Sequence, residues 1–336
     1  MNRAPFRTPD YAMPHVMHHA IHHATRHALL VAGVLVALAG GVRPLGAQSS
    51  SATLQRERYA PLLLKRPATT RVMSLGGAQV AQRDVDAVFG NPALVGTATA
   101  LAFGAERYAS GARAGQFASS STIGPLGLGV GVQLLDAGAP FGAFPASSEV
   151  LTRADAPGIS SMAATMAASL MWKQLRWGIG AKYVEERVRD DRAAGVAFDI
   201  GVSRSLALFN STVGVALQHL GPSLSVEDRR EALPAQLAVG IATAPRGLGK
   251  WVDVSGTAEL DVRRDGVLFP RGGLEVSYVP IEGVAVTGRA GGRRPQLREE
   301  RALVLGAGVT VDRLTLDYGW EPLRDGTGHR LTVRLR

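Results

Sequence analysis

Short segments in which apolar and polar residues alternate fill the chain from Thr97 onward. The clearest is VDVSGTAELDVR at 252–263, where apolar or small residues hold one set of alternate positions and Asp, Ser, Thr, Glu and Arg hold the other. A helix would spread these charges around its circumference, whereas a strand places alternate side chains on opposite faces. The same alternation recurs at 196–203, 313–320 and 330–336. The chain from Thr97 is therefore predicted to be all-β.

About fourteen such segments can be counted, and single-chain outer-membrane barrels have an even number of strands. The segments lie at 98–108, 112–122, 126–135, 161–172, 175–186, 193–204, 211–220, 235–243, 252–263, 271–279, 283–292, 302–311, 313–320 and 328–336. Several have about ten to twelve residues, enough to cross a bilayer as a tilted strand, whereas strands of soluble proteins usually have about five or six. Their length favours a membrane barrel.

The connections between these segments differ in length from one rim to the other. Those after the second, fourth, tenth and twelfth segments are brief, whereas those on the opposite rim are mostly longer and polar, the longest at 136–160. This asymmetry is typical of a bacterial outer-membrane barrel. The predicted fold is a transmembrane antiparallel β-barrel of about fourteen strands in residues 97–336. A soluble periplasmic barrel stays open as the alternative.

Aromatic residues cluster near the predicted strand ends. In a membrane barrel they would form girdles at the two interfaces with water. Ordinary packing beside turns explains them equally well. They are Trp172, Trp177, Tyr183, Trp251, Tyr278, Tyr318 and Trp320.

The first 47 residues have the features of an export signal. An apolar run at 28–42 follows Arg26 and His27, and small residues at 45–47 precede a predicted cleavage before Gln48. The run is too short for a comfortable membrane span. An uncleaved anchor is the alternative, and Met13 or Met17 are alternative starts. Export together with a barrel predicts location in the outer membrane.

Several classes of chemistry are excluded or unsupported by the composition. Cysteine is absent, which rules out disulfides and thiolate catalysis. The glycines of GLGVGV at 127–132 alternate within a strand, with no helix after them to form a dinucleotide loop. Only His219 and His329 follow the apolar run, and no nucleophile motif accompanies them. We therefore predict no enzyme activity, no cofactor and no metal. With mixed charge and few aromatics, we also expect no nucleic-acid partner.

Polar positions of the strands would face the lumen if the apolar positions face lipid. The charged candidates are Asp199, Asp253, Glu259, Asp261, Arg289, Arg313 and Asp317, with Lys182 and Glu275 beside them. They would either pair with one another or line a polar path, and the alternation does not separate these two. The loop at 292–301 holds four Arg and two Glu, and either contacts lipopolysaccharide phosphates or is simply solvated.

The stretch SLGGAQVAQRDVDAVFGNPALVG, residues 74–96, holds the only Asn-Pro-Ala of the chain. It resembles the N-terminal signature of the PorV/PorQ family of outer-membrane proteins, and FadL-type fatty-acid transporters have a related Asn-Pro-Ala element. AGVAFDIGV at 194–202 and VGVALQHLG at 213–221 also resemble strands of that family, with His219 where Asn is common. The signature residues are Leu75, Gly76, Gly77, Ala78, Val80, Ala81, Asp84, Asp86, Ala87, Asn91, Pro92 and Ala93.

The resemblance implies a FadL-like barrel whose N-terminal segment, residues 48–96, folds into the lumen as a hatch. The hatch candidates are Gly76, Gly77, Asp84, Asp86, Asn91, Pro92 and Ala93. The glycines would permit tight turns, Asn91 would cap a turn, and the two aspartates would meet lumenal arginines.

The implied function is transport of small amphipathic molecules or an accessory role in secretion. The alternatives are a type IX-like secretion partner that binds exported protein domains through its loops, and a purely structural plugged barrel. The expected partners are accordingly outer-membrane lipid or lipopolysaccharide, hydrophobic small molecules, or exported proteins.

Overall fold

Fourteen long strands form one closed antiparallel barrel, as predicted. The computed structural model describes residues 61–137, 159–188, 191–226, 229–324 and 326–336. The predicted signal peptide at 1–47 and most of the 136–160 loop lie outside these residues. In chain order the strands are β1 (Ala100–Tyr108), β2 (Arg113–Ile123), β3 (Leu126–Ala137), β4 (Ile159–Trp172), β5 (Leu175–Val188), β6 (Asp191–Leu206), β7 (Ser211–Leu220), β8 (Gln236–Thr243), β9 (Val252–Arg263), β10 (Leu268–Ile281), β11 (Val284–Arg293), β12 (Leu303–Val311), β13 (Leu314–Leu323) and β14 (Gly326–Leu335).

Each strand pairs with its neighbours in the chain, and the last pairs with the first. Leu335 on β14 lies opposite Leu101 on β1, and Val239 on β8 lies opposite Leu260 on β9. A two-residue strand, Arg246–Gly247, adds to the start of β9, and a small separate hairpin pairs Leu224–Val226 with Arg229–Glu231. The closed ladder leaves no open edge among the fourteen strands, which is what a barrel achieves.

The two faces of the barrel wall are reversed relative to a water-soluble barrel. On β14, Leu331, Val333 and Leu335 are 39–50% exposed, whereas Arg330, Thr332 and Arg334 are each only 2% exposed. The same inversion recurs around the wall, with large apolar side chains outside and charged ones inside. This is the arrangement of barrels whose outer face meets lipid.

The two rims differ in connection length, as predicted, except that β5–β6 and β13–β14, on the rim with the longer loops, are joined by only two residues each. The turns β2–β3, β4–β5, β10–β11 and β12–β13 have two residues each, and β1 begins and β14 ends at this short-turn rim. The opposite, long-loop rim carries the connections β7–β8 and β11–β12, at 221–235 and 294–302. Within the part of the chain that the structure describes, no helix has the length and apolar character needed to cross a membrane.

Residues 61–96, here called the hatch segment, run through the barrel interior before β1 begins. They contain two short helices, α1 (Thr70–Ser74) and α2 (Ala87–Gly90), and 3-10 turns at Leu62–Lys65 and Pro92–Leu94. Leu63 packs among residues at the long-loop ends of the strands. Near the other rim, Ser169 Oγ donates a hydrogen bond to the Val95 carbonyl at 2.6 Å. The segment therefore passes from the long-loop rim to the short-turn rim.

Glycines of the wall strands lie where the hatch segment contacts the wall. A Cβ atom on Gly178 of β5 would lie 2.2 Å from the Ala93 nitrogen, and one on Gly127 of β3 would lie 2.2 Å from the Val95 oxygen. A Cβ on Gly131 would lie 2.5 Å from the ring of Phe89. The strand glycines thus relieve crowding on the inner face, where backbones approach closely.

Candidate functional site

The Asn-Pro-Ala turn joins the two halves of the hatch segment. Asn91 Oδ1 accepts a hydrogen bond from the Ala93 nitrogen at 3.0 Å, which caps the turn, and Asn91 Nδ2 donates to the Val80 carbonyl at 2.7 Å. Pro92 holds the first position of the following 3-10 turn, where its fixed φ fits. All three residues of the turn are buried. Asn91 is thus a structural cap that holds the turn against the wall.

Gly76 and Gly77 form the other predicted turn. Both have positive φ, 75° and 90°, in the left-handed region that glycine adopts readily. A Cβ on Gly76 would lie 2.4 Å from the Gly292 oxygen, so this position needs glycine for space as well. The Gly77 carbonyl accepts a hydrogen bond from Arg271 Nη1 at 3.3 Å. The turn is therefore held directly against β10 and β11.

Six charged side chains form a closed ring of ion pairs in the lumen, here called the lumenal ring. In order they are Arg71, Glu275, Arg289, Asp317, Arg334 and Asp84. Arg71 Nε lies 3.2 Å from Glu275 Oε2, and Arg289 Nη1 lies 2.6 Å from Asp317 Oδ1. Asp84 lies 3.5 Å from Arg71, which closes the ring. Three positive and three negative charges balance, and the ring ties the hatch segment to four wall strands.

A glycine on β12 makes room for one of these ion pairs. Arg289 on β11 and Asp317 on β13 flank β12, and their contact passes over Gly308. A Cβ on Gly308 would lie 2.4 Å from Asp317 Oδ1 and 2.9 Å from Arg289 Nη1. Any side chain at this position would therefore collide with the lumenal ring.

Asp84 and Asp86 are both buried but differ electrostatically. Burial alone would raise the pKa of Asp84, but the guanidinium groups of Arg334, Arg71 and Arg336 outweigh it and lower the pKa. Burial, and next the charge of Asp84, raise the pKa of Asp86 to about 6. Asp86 accepts a hydrogen bond from Thr69 Oγ1 at 2.6 Å. Asp84 thus meets lumenal arginines as expected, whereas Asp86 is held by a hydroxyl group of the hatch segment.

A second network of ion pairs lies nearer the long-loop rim. Its members are Arg66, Arg293, Arg330, Glu106, Glu300 and Glu321. Arg66 Nη2 lies 2.7 Å from Glu321 Oε2, and Arg330 Nη2 lies 2.5 Å from Glu106 Oε2. Arg330 also donates to the Pro67 carbonyl at 2.5 Å. This network fastens the start of the hatch segment to β1, β11, β13 and β14.

A third contact fastens α2 to the opposite wall. Lys182 Nζ lies 2.5 Å from Asp199 Oδ2 and donates to the Phe89 carbonyl at 3.2 Å. The backbone nitrogen of His219 donates to Asp199 Oδ1 at 2.8 Å, and His219 has a positive φ of 58° beside a register shift between β6 and β7. The Lys182 ammonium thus already has an ion-pair partner and a hydrogen-bond acceptor within the chain.

Five of the seven predicted lumenal charges are buried, namely Asp199, Glu259, Asp261, Arg289 and Asp317. Glu259 accepts hydrogen bonds from the backbone nitrogens of Gln79 and Val80, both at 2.6 Å, and Arg271 pairs with Asp261. Asp253 is only half-buried beside the short-turn rim. Arg313 departs from the prediction, because it lies exposed in the β12–β13 turn, beyond the point where strand alternation assigns a face.

Sequence reasoning missed several members of the two networks. Glu106, Arg330 and Arg334 lie at the polar positions of alternating strands, so the alternation could have included them. Arg66 and Arg71 lie in the hatch segment, which has no periodic pattern. Their roles become visible only when the hatch segment is placed inside the barrel.

A cavity lies between the hatch segment and the wall. Its volume is about 20 Å³, room for about one water molecule and not for a ligand of drug size. Its apolar lining includes Leu63, Leu64 and Phe89, and its polar lining includes Gln79 and Lys182. Among the described residues, none is a hydrogen-bond partner for the buried Oε1 atom of Gln79. The cavity therefore offers an apolar side and an unused hydrogen-bond acceptor.

Solved structures of hydrocarbon channels share this fold. The toluene transporter TbuX of Ralstonia pickettii has a TM-score of 0.51 at 15% identity, covering 80% of this chain and 96% of that one. The toluene transporter TodX of Pseudomonas putida has a TM-score of 0.53 at 10% identity, covering 80% and 96%. The monoaromatic hydrocarbon channel CymD has a TM-score of 0.54 at 10% identity, covering 82% and 97%.

These likenesses show that the chain shares the barrel fold of these channels. At 10–15% sequence identity these likenesses show the fold alone. No family model and no curated protein matches the chain.

Proposed function

We propose that this chain is a non-enzymatic outer-membrane barrel of the PorV/PorQ type that passes small amphipathic molecules past its hatch segment. The apolar outer face and the fold shared with hydrocarbon channels support the membrane placement. The observation that carries the transport proposal is the mixed lining where the hatch segment meets the wall, which combines Leu63, Leu64 and Phe89 with polar groups. The cavity there is too small for a ligand in this structure, so a ligand can enter only when the hatch segment moves.

The charges around the cavity favour a neutral ligand. Lys182 is paired with Asp199, and Arg271 is paired with Asp261. An anionic ligand would have to compete with these buried carboxylates for the same cations. The Gln79 Oε1 atom, by contrast, can accept a hydrogen bond. We infer a ligand with an aromatic or aliphatic body and a hydroxyl group, because a buried acceptor left without a donor is unfavourable.

Passage requires the hatch segment to move. It fills the lumen from the long-loop rim to the short-turn rim and is held by the two ion-pair networks. Buried ion pairs of good geometry hold a unique arrangement but add little net stability over apolar packing. Movement of the hatch segment would also uncover apolar side chains such as Val88, Phe89 and Leu94, which pack against the wall.

The test is uptake by cells that express the full chain. The two probes are radiolabelled 4-hydroxybenzyl alcohol, which is neutral, and 4-hydroxybenzoate, which is an anion of similar size. We expect uptake of the alcohol above that of cells without the chain, and little gain for the benzoate. Gln79→Leu should reduce uptake of the alcohol by about tenfold through the lost hydrogen bond. The matched control, Gln174→Leu in the exposed β4–β5 turn, should not. Equal uptake with and without the chain would overturn the transport proposal.

A second candidate is a plugged barrel that binds exported protein domains through its long loops. The observation that favours it is the filled lumen, held at both ends by ion pairs. It predicts no uptake of either probe, together with retention of an exported domain by the purified barrel. The uptake measurement therefore separates the two candidates.

A further inference from the structure

Three neighbouring turns of the short-turn rim expose an unusual combination of apolar and basic side chains. They are the turns β4–β5, β6–β7 and β8–β9. Their large apolar residues are 46–65% exposed. We call this surface the short-turn patch, and it consists of Trp172, Lys173, Leu208, Phe209, Arg246, Leu248, Lys250 and Trp251.

The short-turn patch is positively charged on one arc of the rim. Lys173, Arg246 and Lys250 lie in its turns, which contain no acidic residue. The turns β10–β11 and β12–β13 on the other side of the rim carry Glu282 and Asp312. The positive charge is thus a local property of this arc and not of the whole rim.

Two of the three cations of the short-turn patch lie over aromatic rings. Lys173 Nζ lies 4.9 Å from the Trp172 ring centroid, and the Arg246 guanidinium lies 5.8 Å from that of Phe209. Among the described residues, no carboxylate lies within ion-pair distance of Lys173 or Arg246. The cation–π contacts hold the Lys173 ammonium and the Arg246 guanidinium in place. The N–H groups of both cations stay available to donate hydrogen bonds. The arrangement fits an incoming anion.

The β6–β7 turn holds its apolar tip away from the barrel. Phe209 and Asn210 have positive φ, 52° and 47°, a conformation that Asn adopts readily but that is uncommon for Phe. The Ala244 nitrogen donates to the Asn210 carbonyl at 3.3 Å, which joins this turn to the β8–β9 turn. The two turns therefore present Phe209 and Arg246 as one surface.

We propose that the short-turn patch binds the headgroups of anionic phospholipids in the membrane leaflet at this rim. Aromatic side chains suit the boundary between headgroups and acyl chains, and basic side chains suit lipid phosphate. The patch continues directly into the apolar outer face through Met171, Trp177 and Tyr278. This continuity favours lipid over an acidic protein. The proposal rests on the membrane placement proposed above and is independent of transport.

The test measures lipids retained by the whole, detergent-solubilised barrel in native mass spectrometry. Phosphatidylglycerol and phosphatidylcholine with the same acyl chains are added in equal amounts. The variant is Lys173→Gln/Arg246→Gln/Lys250→Gln. The matched control, Arg264→Gln/Arg298→Gln/Arg301→Gln, removes the same charge from exposed positions at the long-loop rim. A change in gel mobility on heating verifies that each variant is folded.

We expect the unmodified chain to retain more phosphatidylglycerol than phosphatidylcholine. In the patch variant the ratio of the two retained lipids should fall by about fivefold for each charge removed. The control variant should keep the preference. The proposal is overturned if the patch variant keeps the preference, or if the control loses it equally. It is also overturned if the patch variant loses only the binding of a polyglutamate peptide, which would indicate a protein partner. If the chain shows no lipid preference but takes up 4-hydroxybenzyl alcohol, the lipid site is wrong and the transport proposal is unaffected. If it shows the lipid preference but no uptake, the transport proposal is wrong and the lipid site is unaffected.

Discussion

Arg334 on the last strand forms a buried ion pair with Asp84 of the hatch segment, although 250 positions separate them in the chain. Arg334 also contacts Asp317 on the neighbouring strand, so one guanidinium joins the hatch segment to the wall. The lumenal ring depends on this residue, because Asp84 and Asp317 would otherwise be adjacent negative charges in the barrel interior. The ring is one of three sets of polar contacts that join the hatch segment to the barrel.

Asp84→Asn should destabilise the folded barrel strongly. The change leaves Arg334 and Arg71 short of a negative charge in the interior, which commonly reduces the free energy of unfolding by about 3–5 kcal/mol. Urea unfolding followed by tryptophan fluorescence measures this. The control is Asp265→Asn, because Asp265 pairs with Arg263 in the partly exposed β9–β10 turn, where such a pair contributes about 1 kcal/mol or less. Equal losses in both variants would contradict the role of the ring.

Gly308→Ala should disrupt the contact between Arg289 and Asp317. The new methyl group occupies the space through which this ion pair passes, and overpacking of this kind costs about 1–3 kcal/mol. Gly288→Ala on the neighbouring strand is the matched control, since a Cβ there meets nothing within 4 Å. The free energy of unfolding of both variants is measured by the same urea titration. A Gly308→Ala barrel as stable as the control would show that the ring does not need this gap.

Asp86 should make the barrel less stable as the pH rises from about 4 to about 6. Its folded-state pKa is raised from 3.8 to about 6 by burial and by Asp84, so in this window the folded state binds more protons than the unfolded state. Asp86→Asn should remove this dependence and increase the free energy of unfolding at pH 7.5 by about 2–3 kcal/mol. Unfolding at pH 4.5 and 7.5 measures it, with the exposed Asp136→Asn as control. An unchanged pH dependence in Asp86→Asn would contradict the assignment.

The wall of the barrel could be predicted because strand alternation is a local property. The segment at 252–263 coincides with β9, and the two faces of β14 follow from the same alternation. β10 spans Leu268–Ile281 and is longer than the predicted segment at 271–279. It includes Pro270, which the predicted segment left out. β10 exceeds its local signal because β9 continues the ladder and pairs Val262 with Leu268.

The lumenal contacts could be predicted only in part. Alternation assigned Asp199, Glu259 and Asp317 to the inner face, but it could not say which partners they meet. The pairing of Arg71 with Glu275 spans 204 positions and depends on how the hatch segment crosses the lumen. No local pattern marks such a contact, since the hatch segment has no regular period.

Transport requires the hatch segment to move, and a disulfide between this segment and the wall tests that movement. The hydroxyl oxygens of Thr70 in α1 and Thr332 on β14 lie 2.6 Å apart, so Thr70→Cys/Thr332→Cys should form a bond between hatch segment and wall in a chain without other cysteines. The control pair, Ser277→Cys/Thr287→Cys, joins two wall strands at positions whose oxygens lie 2.9 Å apart.

Uptake of 4-hydroxybenzyl alcohol is measured with each pair oxidised and then reduced. We expect oxidation of the Thr70→Cys/Thr332→Cys pair to abolish uptake and reduction to restore it. The control pair should transport in both states. Undiminished uptake with the hatch segment bonded to the wall would contradict the requirement for movement.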